Sequence, residues 1–161
     1  NEKFAAHLGA FLSGNSMKAK NRLRAITKRN RGVNVRKVMQ EIKVYMTGWL
    51  NYYGIASLKT KMREWDEWLR HRIRANIWKQ WKKPKTKRKN LMKLGVPEYY
   101  AHMAANSHRG YWFTVNTGAV TRGITNERLT RVGFFELSPA YESIQSACIG
   151  RAVYRTVRTV R

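Results

Sequence analysis

The sequence predicts a mainly α fold: a compact helical domain with one long central basic helix and several shorter ones. Three observations carry this. Only three prolines interrupt 161 residues. Apolar residues recur at three- and four-residue steps over long stretches, the spacing of one helix face. Hydrophobic residues make up 43%, which excludes a fully disordered chain and permits a real core. The length suits one domain or two very small ones, with no internal repeat and no Gly/Ser-rich linker.

Asn15 or Ser16 caps a first helix running to about Asn30, with Leu23 and Ile26 inward; Asn30-Arg31-Gly32 stops it. Asn34 caps the next, whose stripe is Val38, Ile42, Tyr45, Trp49 and Tyr52, ending at Gly54. Its glycines are expected to permit close helix approach. Ser57 opens the central helix, which Pro84 closes after about Lys83. Met62, Trp65, Leu69, Ile73, Ile77 and Trp81 form its inward stripe. Shorter helices follow at 86–94, ended by Gly95, and at 97–106, with Pro97 in the first turn. YWFTV at 111–115 reads as a strand or an extended crossing. Asn126 caps a helix to Val132, ended by Gly133. Ser138-Pro139 opens a last helix in which Arg151, Arg155 and Arg158 mostly share a face.

Charge narrows the partners. Thirty-three Lys plus Arg face nine Asp plus Glu, a formal net charge of +24. Self-repulsion at that charge costs stability, which a polyanion offsets. Nucleic acid is the first candidate, an anionic membrane the second, an acidic protein the third. No apolar run reaches the roughly 18–20 residues of a membrane span, and tryptophans on a core stripe argue for folding over insertion. Residues 1–15 lack the basic start and long apolar centre of a signal peptide. Cys148, the single cysteine, allows no disulfide framework and no thiolate zinc site. It reads as a small buried residue. The expected location is the bacterial cytoplasm or an organelle.

Catalytic chemistry is poorly provided for. Nucleic-acid hydrolases and polymerases hold divalent metals with clustered carboxylates, yet Asp66 is the only aspartate. Glu64, Asp66 and Glu67 read as a solvated charge patch in a first turn. The four histidines show no ligand spacing, and no phosphate-cradling glycine loop is present. The expectation is a binding domain with no catalytic residues, metal, cofactor or small-molecule substrate.

Nucleic-acid chemistry is abundant. Basic side chains neutralise phosphates, and aromatic rings stack on exposed bases. Nine of the nineteen residues at 72–90 are Lys or Arg. Candidate contacts on the central helix are Arg70, Arg72, Arg74, Lys79, Lys82 and Lys83, extended by Lys85, Lys87, Arg88 and Lys89. Trp65 and Trp81 belong to the core stripe. Trp68 and Trp78 lie off it, facing a second helix or a base.

GWLNYYG at 48–54, WDEWLRHRIR at 65–74, WKQWK at 78–82 and Leu94-Gly95 closely resemble the maturase-specific region of group II intron-encoded reverse transcriptases, the X or thumb domain. ANSHRGYW at 105–112, and NERL at 126–129 with Gly133, resemble further segments of the same region. The resemblance covers roughly 16–137. Residues 1–15 stand apart as an N-terminal segment of uncertain role, and 138–161 as a basic C-terminal helix or tail. Phe113 departs from the pattern, which usually has Arg there. The resemblance implies a domain that grips structured intron RNA, and the template–primer duplex, and assists splicing. It implies no polymerase activity in this chain, and a reverse-transcriptase palm as partner in cis or in trans. It adds Asn51, Tyr53 and Arg109 to the candidate RNA contacts. The alternatives are a general basic RNA- or DNA-binding protein and a nucleic-acid enzyme with an unrecognised site.

Overall fold

The computed structural model describes the backbone of residues 2–54 and 56–159, and the side chains of 13–54 and 56–148. Helices dominate, and no strand occurs among the described residues. The first helix, α1, spans Glu2–Ile26 and so runs through the cap predicted at Asn15 or Ser16. Ser16 lies instead on the buried face with Ala19, Leu23 and Ile26, the 3–4–3 steps of one helix face. Its hydroxyl accepts from Lys61 Nζ at 3.3 Å. The helix also ends earlier than predicted, at Ile26. There the Thr27 hydroxyl donates to the Leu23 carbonyl at 2.6 Å, and a short 3-10 turn, Arg29–Arg31, leads to Gly32 at φ 66°. Arg31 donates to the Ile26 carbonyl at 2.6 Å and holds Glu41 with two bonds of 2.8 and 3.0 Å. One guanidinium thus caps α1 and ties it to the next helix, and its hydrogen bond holds the Glu41 carboxyl below the usual range.

That helix, α2, spans Val35–Tyr53, and Asn34 caps it as predicted by accepting from the Arg36 amide. Val38, Ile42 and Trp49 are buried, joined by Met39, Met46 and Leu50. Tyr52, predicted inward, is 72% exposed, because the buried line runs through Met46 and Leu50 to half-buried Tyr53, one position beyond the expected steps. Of the two motif glycines only Gly54 is needed for close approach. A Cβ there would collide with the Leu50 carbonyl oxygen and lie 3.1 Å from Ile144, whereas Gly48 faces open space.

The central helix α3 spans Lys59–Gln80, with Leu58 at its cap. It begins after the predicted Ser57 and stops before Lys83. Pro84 opens the next helix rather than closing this one, since a missing N–H costs nothing in a first turn. Met62, Trp65, Leu69 and Ile73 are buried as predicted. Near its end the buried face turns. Ile77 and Trp81 are only half-buried, while Trp78 is 2% exposed.

What turns it is the smaller group of helices beyond. These are α4 (Pro84–Lys93), α5 (Glu98–Ala105), α6 (Tyr111–Thr114), α7 (Gly118–Gly123) and α8 (Asn126–Val132). Lys87 of α4 lies over Trp78 and is shared with Tyr111 of α6, its Nζ 4.9 Å from the Trp78 ring centroid and 5.1 Å from that of Tyr111. YWFTV is therefore a helical turn, not a strand or extended crossing. The α7 turn was not foreseen, and Thr125, not Asn126, caps α8 by accepting from the Arg128 amide at 3.2 Å. Gly95 and Gly133 end their helices at φ 87° and 114° as predicted.

The last helix, α9 (Leu137–Thr159), packs against α2 and α3. Asp66 is buried beneath its start, not solvated. Its carboxylate accepts from the Leu137 amide (2.7 Å), the Ser138 amide (2.9 Å) and the Ser138 hydroxyl (2.7 Å). A charge from α3 thus satisfies the free N–H groups of another helix and lies at the positive end of its dipole. Ser138 is a recipient of the cap rather than the cap itself. Tyr141, also buried, donates to the Ala56 carbonyl at 2.8 Å and accepts from the Leu58 amide at 3.1 Å, bracing the turn between α2 and α3. The boundary drawn at 137 therefore crosses the seat of α9. Cys148 is half-buried, and the side chains of Arg151, Arg155 and Arg158 lie outside the described residues. With α1 and α9 of similar length, α3 is central but not uniquely long.

Candidate nucleic-acid interface

The sharp corner between α3 and α4 presents Lys79, Lys82, Lys83, Lys85 and Lys89, all exposed. Among the described residues, the ion pairs join Arg31 to Glu41, Lys59 to Glu142, Arg70 to Glu136 and Arg88 to Glu98; none involves these five lysines. Lys82 holds φ 41°, a backbone conformation that side chains disfavour. Lys83 is the residue before α4, and no acidic residue occupies the first turn. Cations at a helix N-terminus oppose its dipole, whereas a phosphate there meets free N–H groups and a favourable field. The corner suits an anion better than it suits itself.

The three arginines of α3 are arranged differently. Arg70 pairs with Glu136 at 2.9 Å and lies over the Phe134 ring, 5.5 Å from its centroid. Arg72 donates to the Thr27 hydroxyl and, at 3.2 Å, to the Arg24 carbonyl, and lies over Trp68. Arg74 donates to the Ile124 carbonyl at 2.8 Å and to Asn126 Oδ1 at 2.6 Å. Burial first, and neighbouring cations second, lower the Arg72 and Arg74 pKa values from the usual guanidinium range. Predicted as RNA contacts, all three are half-buried and join α3 to α1, α8 and the segment before α9.

Trp78 and Lys87 are buried, and burial lowers the lysine pKa. The ring, 2% exposed, has no free face for a base, and the Lys87 side chain packs between two rings rather than standing out from the surface. Arg88 meets Glu98 at 3.4 Å and remains partly exposed. Tyr53 is half-buried beside Trp49, their centroids 5.0 Å apart. Asn51 is exposed on α2, on a different element from the lysine corner. Arg109 is exposed, 4.3 Å from the Phe113 ring centroid. Its loop is fixed by its amide donating to Ser107 Oγ at 3.3 Å and by Thr114 Oγ1 donating to its carbonyl at 3.1 Å.

Sequence reasoning missed an aromatic surface: Tyr99, Tyr100, Trp112 and Phe113 are 68%, 51%, 49% and 50% exposed. The signal was adjacency. Consecutive rings on one helical turn cannot all face a single core, so Tyr99-Tyr100 and Tyr111-Trp112-Phe113 had to turn some outward. Trp112 lies against His71, centroids 3.7 Å apart. Burial, with Arg74 and Arg72 nearby, lowers the His71 pKa despite an opposing backbone contact with Trp112.

Among the described residues there is no group of three or more His, Cys, Asp or Glu positioned to hold a metal, and no helix is long and apolar enough to cross a membrane. A family model described as the group II intron maturase-specific domain matches residues 16–95. That span runs from the buried face of α1 to the glycine ending α4, and so contains the whole lysine corner. No curated protein matches the chain.

Proposed function

Residues 16–95 are a group II intron maturase-specific domain, and from this premise we propose that the chain binds structured intron RNA and assists its splicing. The observation that supports this reading best is the α3–α4 corner, where five exposed lysines without acidic partners flank a helix N-terminus inside the matched span. A-form RNA presents closely spaced phosphates along a shallow groove, which a rigid cationic corner can track by shape. The maturase-specific domain is distinct from the catalytic palm. In this reading the chain contributes binding rather than polymerisation, and a palm in cis or in trans supplies the chemistry. The exposed Asn51 and Arg109 contribute directional contacts away from the corner.

The test is competition binding of the chain to a structured group II intron RNA against random duplex of equal length, with a splicing assay of the same intron alongside. Preference for the intron RNA together with faster splicing is expected. Equal affinity for both RNAs would leave a general basic nucleic-acid binder.

A further inference from the structure

A groove of about 570 Å³ opens among α5, α6 and α7, a size typical of sites for small organic ligands, roughly 300–1,000 Å³. Buried Val96 lies at its base, and half-exposed Tyr100, Met103 and Phe113 line it. Arg109 and Arg122 line it too, and both are exposed. Among the described residues, no acidic one lines it. The Arg109 guanidinium lies over Phe113, on a loop already fixed by Ser107 and Thr114.

This chemistry selects an occupant. An apolar peptide would leave two guanidinium groups without counter-charge, and a lipid chain has no use for aromatic faces. A nucleotide has both a flat apolar ring for the aromatic side chains and a phosphate for the arginines. In a paired helix both faces of each base are covered by its neighbours, so only an unpaired base can offer one, and extruding it costs least where it is already unpaired. We propose that this groove takes a single unpaired nucleotide from a structured RNA, its base against the Tyr100 and Phe113 rings and its phosphate at Arg109 and Arg122. The proposal rests on the RNA-binding reading above and names what the aromatic surface adds to the lysine corner.

The test compares two hairpin RNAs, one fully paired and one with a single bulged 2-aminopurine, against the full 161-residue chain. Near-physiological salt, about 150 mM, keeps long-range attraction screened. The bulged hairpin should bind about 5- to 150-fold more tightly, the range that stacking one base supplies, and its fluorescence should fall as the base stacks. Tyr100→Leu with Phe113→Leu should abolish both effects and leave affinity for the paired hairpin unchanged. Should that variant fail to melt cooperatively, Arg122→Gln on the exposed edge should still reduce the bulge preference. Equal affinity without quenching, while the paired hairpin is still bound, would overturn the groove assignment alone. Failure to bind either hairpin would overturn the RNA-binding reading with it.

Discussion

Replacing Lys79, Lys83 and Lys85 by Gln removes three of the five exposed charges at the α3–α4 corner without touching a buried side chain. If each of the five neutralises one duplex phosphate, the logarithm of the binding constant falls with that of salt at a slope of about −4.5, or about 500-fold between 50 and 200 mM. With two left the slope is about −1.8, and the same salt step costs about 12-fold. Cations elsewhere add equally to both proteins, so the difference in slope, about 2.7, is the quantity to measure. Stability should barely change. Lys79 lies in the last turn of α3, where a cation favours the helix, whereas Lys83 and Lys85 lie at the start of α4, where cations oppose it. The melting temperature should move by no more than about 2 °C. Fluorescence anisotropy on a labelled duplex across a salt series gives both slopes. Parallel lines for parent and variant would refute the assignment of this corner as the phosphate-facing surface.

Three further outcomes follow from the packing. Asp66→Ala leaves the N-terminal amides of α9 without their charged acceptor and should cost about 2–3 kcal/mol in urea unfolding, with little effect on RNA binding beyond that lost stability. Trp78→Ala should destabilise by about 3–5 kcal/mol, as deletion of a buried aromatic does, and it also removes the ring over which Lys87 is held. The unfolded chain protonates His71 near pH 6.5, but burial lowers its pKa in the fold. Stability should therefore decline as pH drops below about 6.5 and level once the folded ring also titrates. His71→Gln should flatten that decline in melting temperatures measured from pH 7 downward.

Residues governed by local chemistry were legible in the sequence. Asn34 before Val35 offers a side-chain acceptor to the first turn, and Gly95 and Gly133 adopt the positive φ that other residues resist, so these boundaries were found. The apolar line from Met62 to Ile73 was also legible, because one helix face must be buried whatever covers it. What failed depends on residues distant in sequence. Trp78 became core because Lys87, itself shared with Tyr111, folds over it, and no periodicity within α3 contains that information. Arg70, Arg72 and Arg74 read as surface charge because arginine usually is. Their partners lie 45–66 residues away and were invisible to a linear scan. The lysines of the corner are exposed because Lys83 and Lys85 follow the end of one helix and flank Pro84, which begins another, leaving them little to pack against.

The bond between Asp66 and the start of α9 also defines how small this domain can be made. Asp66 lies inside the matched span, 16–95, but the amides that receive its charge belong to Leu137 and Ser138, 71 and 72 residues along the chain. A chain cut after Gly95 would leave the Asp66 carboxylate to water in place of the α9 amides, and would expose the face of α3 that α9 covers. Seating α9 on Asp66 closes a loop of 71 residues, and the entropy of that closure opposes folding. The matched span and the packed unit are therefore not the same length here, and Asp66 joins them together with Arg70, Arg74 and Tyr141.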